Sequence, residues 1–388
     1  MAIQAFSFFA SWIAESVIGR GFAIRALEIT TNLAQSQFIN ARKRPAREYA
    51  VSLRLDAWTH VFPPAYFAKL QTIASAAGPL KRWMELTPLY DLEQRFRLMD
   101  SFDAYQQILT PSMPPIEDLA EGQAAVDLMR LMNDGLAELV ARHPKRFPAF
   151  AGALSLLDPE AAIVEIERAS RLGAVGFQIC THVRGIALDA PGFRPVFDAI
   201  AQRNLAIWLH PVRGPQPDYP SETRSHHEIW WCFGWPYDSS VAMARLAFSG
   251  IFDRHPELKI ITHHMGAMIP YFAGRIEQGW GLEMGARTPA SESHLLPGPL
   301  KRPAPDYFRM FYADTALSGS TSATRCGLDY FGPDKVLFAS DFPFDAEGGS
   351  YLVRETIRAL DGLLLPAETR ARIDHGNAQA IIRHSQRS

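Results

Sequence analysis

Eight short apolar runs, each ending in or just before a polar residue, constrain the fold of this chain more than any other feature. The runs are LRLDAWTH (53–60), AYQQILT (104–110), FPAFAGALS (147–155), AVGFQICTH (174–182), AIWLH (206–210), LKIITHH (258–264), MFYADT (310–315) and VLFASD (336–341). Between them lie segments such as 116–143 and 159–173, whose apolar residues recur at three- and four-residue spacing. Strands alternating with helices of this length predict βαβ units and a parallel sheet.

Eight strands favour a closed (β/α)₈ TIM barrel, here over residues 51–388, over a doubly wound open sheet. An open sheet remains the alternative, but it normally has a glycine-rich phosphate turn after its first strand, and DAWTHVFPP is not such a turn. A barrel brings the C-terminal ends of all its strands to one rim. The pattern therefore predicts that His60, His210, His264 and Asp341 converge on one pocket.

Composition indicates an enzyme-sized globular protein. The 388 residues have a formal net charge of −2 and a pI of about 6.6, which gives no indication of a nucleic-acid partner. Cys180, Cys232 and Cys326 are widely spaced and show no CxxC pattern, which is typical of reduced thiols in a cytoplasmic protein.

Residues 1–50 are a separate problem. Their apolar part is interrupted by Glu15, Arg20 and Arg25 before it reaches membrane-spanning length, and 36–49 is polar and basic. Three interpretations compete: an extension that packs on the barrel, a poorly ordered leader, or an upstream start that is not used. We expect an N-terminal extension without catalytic residues, and neither a membrane anchor nor a membrane partner.

A metal site is the first hypothesis for the residues at the strand ends. His60 completes the pattern D-A-W-T-H, in which residues two apart on a strand point to the same side, but Trp58 stands in the first position and an indole cannot ligate. His210 and Asp341 end the fifth and eighth strands. Two imidazoles and a carboxylate suit zinc or a similar divalent ion such as manganese. The alternative is that these residues satisfy backbone groups at the strand ends.

Other polar residues at the same rim are candidates for catalysis or substrate binding. His263 and His264 are adjacent, so on a strand they face opposite ways; we expect His264 in the pocket, as a general base or a partner of bound water, and His263 packed between sheet and helix. His182 is a candidate substrate contact or a partner that supports another residue of the site. Asp314 is placed to orient a histidine or to touch substrate.

The long connection 212–238 leaves the C-terminal end of the fifth strand and contains the aromatic cluster WWCFGWPY. Long loops on this face of a barrel commonly act as lids or substrate walls. We therefore expect Trp231 to contact substrate. The alternative is an aromatic plug or a subunit contact, and His226 and His227 in the same loop are expected to be solvated.

Together these segments resemble a known family. The blocks D-x-x-x-H-x-x-P at 56–63, AIWLHP, LKIITHHMGAMIPYFAGRIE, KVLFASDFPF and the terminal HGNAQAII are similar to those of amidohydrolase-related decarboxylases. That group includes 2-amino-3-carboxymuconate-6-semialdehyde, γ-resorcylate and 5-carboxyvanillate decarboxylases. The resemblance covers about residues 52–385.

The resemblance implies roles for individual residues. His60, His210 and Asp341 match metal ligands, and His264 matches the histidine that activates water or assists decarboxylation. Arg275 matches an arginine that in the semialdehyde decarboxylase enters the neighbouring subunit's pocket to bind the substrate carboxylate, which implies a homodimer. Trp58 departs from the pattern, because the family usually has a metal-binding histidine there; we expect weaker metal binding and an indole available to substrate.

Three functions follow as hypotheses. The first is metal-assisted, non-oxidative decarboxylation of an aromatic or unsaturated carboxylic acid, with His264 and Asp341 as catalytic residues. The second is hydrolysis of a lactone or amide at the same site. The third is a non-catalytic, ligand-binding barrel that lost its metal with Trp58.

Overall fold

The computed structural model describes residues 53–74, 81–283, 288–296 and 298–386; the expected extension at 1–50 lies outside them. The strands are β1 (Arg54–Val61), β2 (Tyr105–Pro111), β3 (Ala149–Ala153), β4 (Ala174–Cys180), β5 (His182–Val183), β6 (Ile186–Ala187), β7 (Ala206–His210), β8 (Ile260–Thr262), β9 (Tyr312–Asp314) and β10 (Val336–Leu337). The α-helices are α1 (Pro64–Ala74), α2 (Lys81–Met84), α3 (Leu92–Met99), α4 (Gly122–Arg142), α5 (Pro159–Arg171), α6 (Arg194–Gln202), α7 (Trp235–Phe248), α8 (Ile251–Arg254), α9 (Ala273–Ile276), α10 (Ala304–Phe308), α11 (Thr321–Phe331), α12 (Ser350–Gly362), α13 (Ala367–Ala371) and α14 (Asn377–Ser385). Short π-helical turns lie at Trp230–Gly234, Glu277–Glu283 and Arg372–Gly376.

Eight parallel strands form one sheet in the order β1-β2-β3-β4-β7-β8-β9-β10. The sheet closes on itself, because Ala57 N–H donates to Phe338 O at 2.8 Å and His60 N–H donates to Phe342 O at 2.8 Å. The predicted (β/α)₈ barrel is confirmed, and each of the eight apolar runs overlaps one barrel strand. The antiparallel β5–β6 hairpin beyond β4 is an addition that the sequence did not indicate.

Helices cover the outside of the barrel. α4 turns Ala125, Leu128, Met132, Leu136 and Leu139 inward at three- and four-residue spacing. α5 begins at a proline, and the preceding Asp158 accepts a hydrogen bond from the Ala161 amide as the N-cap. Since helices pack on the outer face and the inner face is filled, β3 and β7 are buried along their whole length.

The interior of the barrel is a packed core. Trp208 lies across it and donates from Nε1 to Ala57 O at 2.9 Å. Gly176 makes room for that indole, since a Cβ there would lie 2.5 Å from the Trp208 ring. Ala378 and Ile381 of α14 belong to the same cluster and cover the end at which the strands begin. Only the rim at the C-terminal ends of the strands is left for chemistry.

Two long connections reach that rim. The one after β1 contains α1, α2 and α3, and the one after β7 contains the π-helical turn at 230–234. We call residues 212–238 the lid loop. In the described parts of the chain, no helix combines the length and the apolar character needed to cross a bilayer.

Candidate metal centre and active site

Four histidines and one carboxylate meet at the C-terminal rim. They are His60 on β1, His210 at the end of β7, His263 and His264 directly after β8, and Asp341 after β10. We call these five residues the histidine cluster. His60 and His263 are 0% exposed and His210 is 2% exposed, so the cluster lies at the bottom of the rim rather than on the surface.

Asp341 lies at the middle of the cluster. Its Oδ1 is 3.3 Å from His60 Nε2 and 3.3 Å from His263 Nε2, and its Oδ2 is 3.6 Å from His264 Nε2. Burial would raise the pKa of Asp341, but the charge on His263 and the close contacts with the surrounding rings hold it well below its usual range. The carboxylate is therefore charged at neutral pH.

Backbone carbonyls orient two of the rings. His60 Nδ1 is 2.7 Å from Pro111 O, and His210 Nδ1 is 2.6 Å from Pro211 O. In a neutral ring this hydrogen bond places the proton on Nδ1 and leaves the Nε2 lone pair free. Burial, and the nearby His60 and His263, hold the pKa of His210 well below its usual value, so this ring is neutral.

These donors fit a divalent metal ion. One ring nitrogen from each of His60, His210 and His263 lies within 4.8 Å of the other two. The Nε2 atoms of His60 and His263 are buried without a hydrogen-bond partner, which is costly unless a cation or a proton lies between them and Asp341. Imidazole and carboxylate together are a donor set for zinc and for other divalent first-row metals.

The expectation that His263 and His264 face opposite ways is wrong. β8 ends at Thr262, before the pair, and His264 has a φ of +56°, in the left-handed region. The chain reverses there, so both rings face Asp341 and stack on each other, with ring centroids 3.9 Å apart.

The two adjacent histidines differ in their pKa. Burial and His263 lower the pKa of His264. Burial would also lower the pKa of His263, but Asp314 and Asp341 outweigh it and raise the pKa to about 9.

Asp314 is placed against a histidine rather than against open space. It is 0% exposed, and one carboxylate oxygen accepts a hydrogen bond from His263 Nδ1. The other accepts from the amides of Met265 at 3.3 Å and Ala316 at 3.1 Å. Of the two roles expected for Asp314, this arrangement supports orientation of a histidine.

Trp58 is also fully buried. A one-residue bulge between Asp56 and Thr59 breaks the two-residue alternation of β1, and both Ala57 and Trp58 join the interior cluster. The indole stacks on His263 with ring centroids 4.1 Å apart and donates from Nε1 to Gln178 Oε1 at 3.3 Å. It has no exposed surface to offer a substrate in this structure.

Aromatic rings line the approach to the cluster. Trp235 meets the His210 ring edge-on at 5.6 Å, and Phe344 contacts the His60 ring at 5.0 Å, with Trp83 behind it at 5.2 Å. Trp231 of the lid loop is 47% exposed and meets Trp235 at 6.3 Å. The structure thus places Trp231 one ring away from His210, while Trp83 and Phe344 are wall residues that the sequence analysis missed.

His182 and Arg275 are not brought into the cluster. His182 lies on the β5–β6 hairpin, with Nε2 4.0 Å from Asp238 Oδ2. Arg275 is exposed on α9 and lines a cavity of about 1330 Å³ together with Phe248 and Trp280. None of the five cluster residues lines that cavity.

A second buried polar group adjoins the cluster where β1 meets β10. Arg95 donates to His60 O at 2.6 Å, to Gln107 Oε1 at 2.8 Å and to Thr59 Oγ1 at 3.0 Å. Asp56 accepts hydrogen bonds from Tyr105 Oη at 2.6 Å, from Ser340 N at 3.1 Å and from the Ser340 hydroxyl. We call Asp56, Arg95, Tyr105, Gln107 and Ser340 the seam network. It fixes the backbone that carries His60 and Asp341.

Comparison with known proteins identifies the family. The family described as "Amidohydrolase" matches residues 55–383. The chain belongs to this family. A γ-resorcylate decarboxylase of Polaromonas sp. is 32% identical over 338 residues, which cover 82% of this chain and 96% of that protein. Among solved structures, a dihydroxybenzoic acid decarboxylase of Polaromonas sp. JS666 with bound manganese and 2-nitroresorcinol has a TM-score of 0.70 and 29% identity, and covers 86% of this chain and 97% of that one.

A 5-carboxyvanillate decarboxylase of Sphingomonas paucimobilis gives a similar result. Its TM-score is 0.68 at 27% identity, and the match covers 85% of this chain and 99% of that one. The predicted resemblance to amidohydrolase-related decarboxylases is confirmed. The chain is an enzyme of this family, and its relatives are carboxy-lyases.

Proposed function

We propose that the protein is a metal-assisted, non-oxidative decarboxylase of an aromatic carboxylic acid. The observation that carries the proposal is the cluster itself: ring nitrogens of His60, His210 and His263 lie within 4.8 Å of one another, Asp341 Oδ1 is 3.3 Å from His60 Nε2, and that Nε2 is buried without a hydrogen-bond partner. The names of the relatives support the reaction class. The aromatic wall supports the substrate class, since aromatic rings pack well against a planar acid.

His60, His210 and Asp341 would hold the metal, and zinc and manganese both suit this donor set. The manganese bound to the dihydroxybenzoic acid decarboxylase supports a divalent ion here. When bound, such an ion would coordinate oxygen atoms of the substrate and stabilise the negative charge that develops as carbon dioxide leaves.

The chain's own groups would handle the proton. In decarboxylation the bond from the ring carbon to the carboxylate breaks, carbon dioxide leaves, and a proton takes its place on the carbon. His264 Nε2 and Asp341 Oδ2 lie 3.6 Å apart, and His264 is partly exposed toward the rim. A proton held at either atom is within reach of a substrate that lies over the cluster.

Substrate contacts form the outer part of the proposal. Trp231 would close over the aromatic ring of the substrate as the lid loop moves. His182, on the neighbouring β5–β6 hairpin, would be a further substrate contact. Arg275 lies away from the cluster of its own chain, so we propose that it binds substrate carboxylate in the site of a second copy, as part of a homodimer. Light scattering that gives the mass of a single chain would contradict this part.

We also propose a cytoplasmic enzyme. Cys180, Cys232 and Cys326 form no disulfide in the structure, and Cys232 is exposed, which suits a reducing compartment. Fractionation of the producing cells, with immunodetection of the chain in each fraction, tests this assignment.

The reaction is tested with metal-loaded protein and three acids. Purified chain incubated with Mn²⁺ or Zn²⁺ is given 2,6-dihydroxybenzoate, 5-carboxyvanillate, or 3,5-dihydroxybenzoate, which has no hydroxyl beside its carboxylate. We expect carbon dioxide and the matching phenol from at least one of the first two acids, and little from the third. Metal-loaded protein that releases no carbon dioxide from any of them, but opens lactones or cleaves amides, would overturn the proposal in favour of hydrolysis.

A further inference from the structure

Trp58 replaces a position that the family pattern gives to a metal ligand, and the structure shows what lies against it. The indole is completely buried and lies nearly parallel to the His263 ring, with an interplanar angle of 18° and centroids 4.1 Å apart. Its Nε1 donates to Gln178 Oε1, which fixes the orientation of the indole. Trp58 thus forms a rigid surface behind His263.

His263 is held so that one nitrogen faces the cluster. Asp314 accepts a hydrogen bond from Nδ1, and the stacked rings of Trp58 and His264 limit rotation of the imidazole. Nε2 is 3.3 Å from Asp341 Oδ1 and forms no regular hydrogen bond. Metal-binding histidines typically show this arrangement, in which a carboxylate on one nitrogen orients the ring and increases the basicity of the other.

We propose that His263 is a metal ligand that supplies the donor lost at Trp58, so that the four protein ligands are His60, His210, His263 and Asp341. The inference rests on the metal centre of the proposed function. Ligand atoms about 2.1 Å from a tetrahedral metal are about 3.4 Å apart. The 3.3 Å separations of Asp341 Oδ1 from the Nε2 atoms of His60 and His263 match that spacing.

A purely structural role for His263 fits the structure less well. A packing histidine at 0% exposure would need a partner for each nitrogen, and the described residues provide a hydrogen bond for Nδ1 alone. His264, by contrast, is 22% exposed in its side chain, and remains outside the four ligands to face the substrate. The two adjacent histidines would thus divide metal binding and proton handling between them.

The first test counts the imidazoles that bind the metal in the wild-type protein. X-ray absorption at the zinc edge of the Zn²⁺-loaded wild-type chain is expected to show three imidazoles; two would overturn the inference, because His60 and His210 alone account for two. This measurement does not depend on the folding of any variant. Wild-type protein that takes up neither Zn²⁺ nor Mn²⁺ would instead overturn the metal centre, and with it the proposed function.

The second test measures Zn²⁺ affinity by competition with a chelating dye. We expect His263→Asn to weaken the Kd by at least about 100-fold, since loss of an outer carboxylate partner alone costs about 10- to 100-fold. His143→Asn is the matched control; this partly buried histidine caps α4 before β3 begins, at the opposite end of the barrel. An unchanged Kd in folded His263→Asn would overturn the inference.

Restoring the family's ligand gives the third test. In the Trp58→His, His263→Asn double variant, we expect the imidazole count to return to three. Thermal melting of each apo variant confirms that it is folded. A count that stays at three in the His263→Asn single variant would assign the third imidazole to His264, and would overturn the inference.

Discussion

The histidine cluster and the seam network are both buried and polar and share strand β1, but they differ in whether their polar atoms have hydrogen-bond partners. In the seam network, Arg95 and Asp56 direct their polar atoms to named partners. In the histidine cluster, His60 Nε2, His263 Nε2 and His264 Nδ1 have no hydrogen-bond partner. A buried polar group that is satisfied stabilises the fold, whereas a cluster of groups that are not satisfied requires an additional partner, such as a bound ligand. Hydrogen bonding therefore distinguishes the structural residues of the seam network from the candidate functional residues of the histidine cluster, although both groups are buried.

The largest effect is expected at His264, where the contrast predicts loss of catalysis without loss of stability. In His264→Ala, kcat should fall about 10²- to 10⁴-fold, the usual contribution of a positioned acid or base. Substrate affinity and the melting temperature should change little, because the ring is partly exposed and its Nδ1 makes no hydrogen bond. Single-turnover kinetics at saturating substrate measures the step. A kcat within threefold of wild type would remove His264 from the reaction.

Arg95 should show the opposite behaviour. Arg95→Met leaves His60 O and Gln107 Oε1 without their donor in a buried site, so we expect the free energy of unfolding to fall by about 3 to 5 kcal/mol. Arg97→Met on the exposed side of α3 is the matched control, with a change within about 0.5 kcal/mol. Urea denaturation of metal-free protein gives both values. Equal stability of the two variants would show that the hydrogen bonds of Arg95 to β1 and β2 do not stabilise the fold.

A smaller, pH-dependent effect is expected at Asp56. Burial raises the pKa of this carboxyl to about 6, above its unfolded value of about 3.9, although hydrogen bonds from Ser340 and Tyr105 oppose the rise. The folded protein therefore binds the proton more tightly, and this group's contribution to stability is present at low pH and is lost as the pH rises through about 6. The loss amounts to about 3 kcal/mol at most.

Asp56→Asn removes the titration and keeps the shape of the side chain. Between pH 4 and pH 7 the free energy of unfolding of the wild type should fall relative to that of the variant. Denaturation curves at several pH values give the two profiles. Parallel profiles would mean that Asp56 does not titrate in this range.

The sequence predicted the barrel well because its signal is repeated along the chain. Eight apolar runs with helices between them identify the fold. Because a barrel brings the C-terminal ends of its strands to one rim, this fold places His60, His210 and Asp341 on the same rim. Their predicted roles as ligands remain predictions. The β5–β6 hairpin was missed because two-residue strands are too short to show a period.

The errors lie where the backbone leaves regular geometry. The prediction that His263 and His264 face opposite ways assumes that both lie on an extended strand. β8 ends at Thr262, before the pair, and His264 has a left-handed backbone conformation. The bulge in β1 likewise turns Trp58 inward. The seam network was missed because its members lie in separate elements, and no spacing in the sequence connects Arg95 with His60. Such irregular positions are common at functional sites.

The closure of the barrel has a consequence for how the protein is made. His60 lies on the first barrel strand and Asp341 follows the last, and they become neighbours only when the chain joins its two ends at Ala57–Phe338 and His60–Phe342. During synthesis the early histidines leave the ribosome long before their carboxylate. A nascent chain therefore cannot bring His60 and Asp341 together until the last strand joins the first, and any ion that both residues hold is bound by the closed barrel.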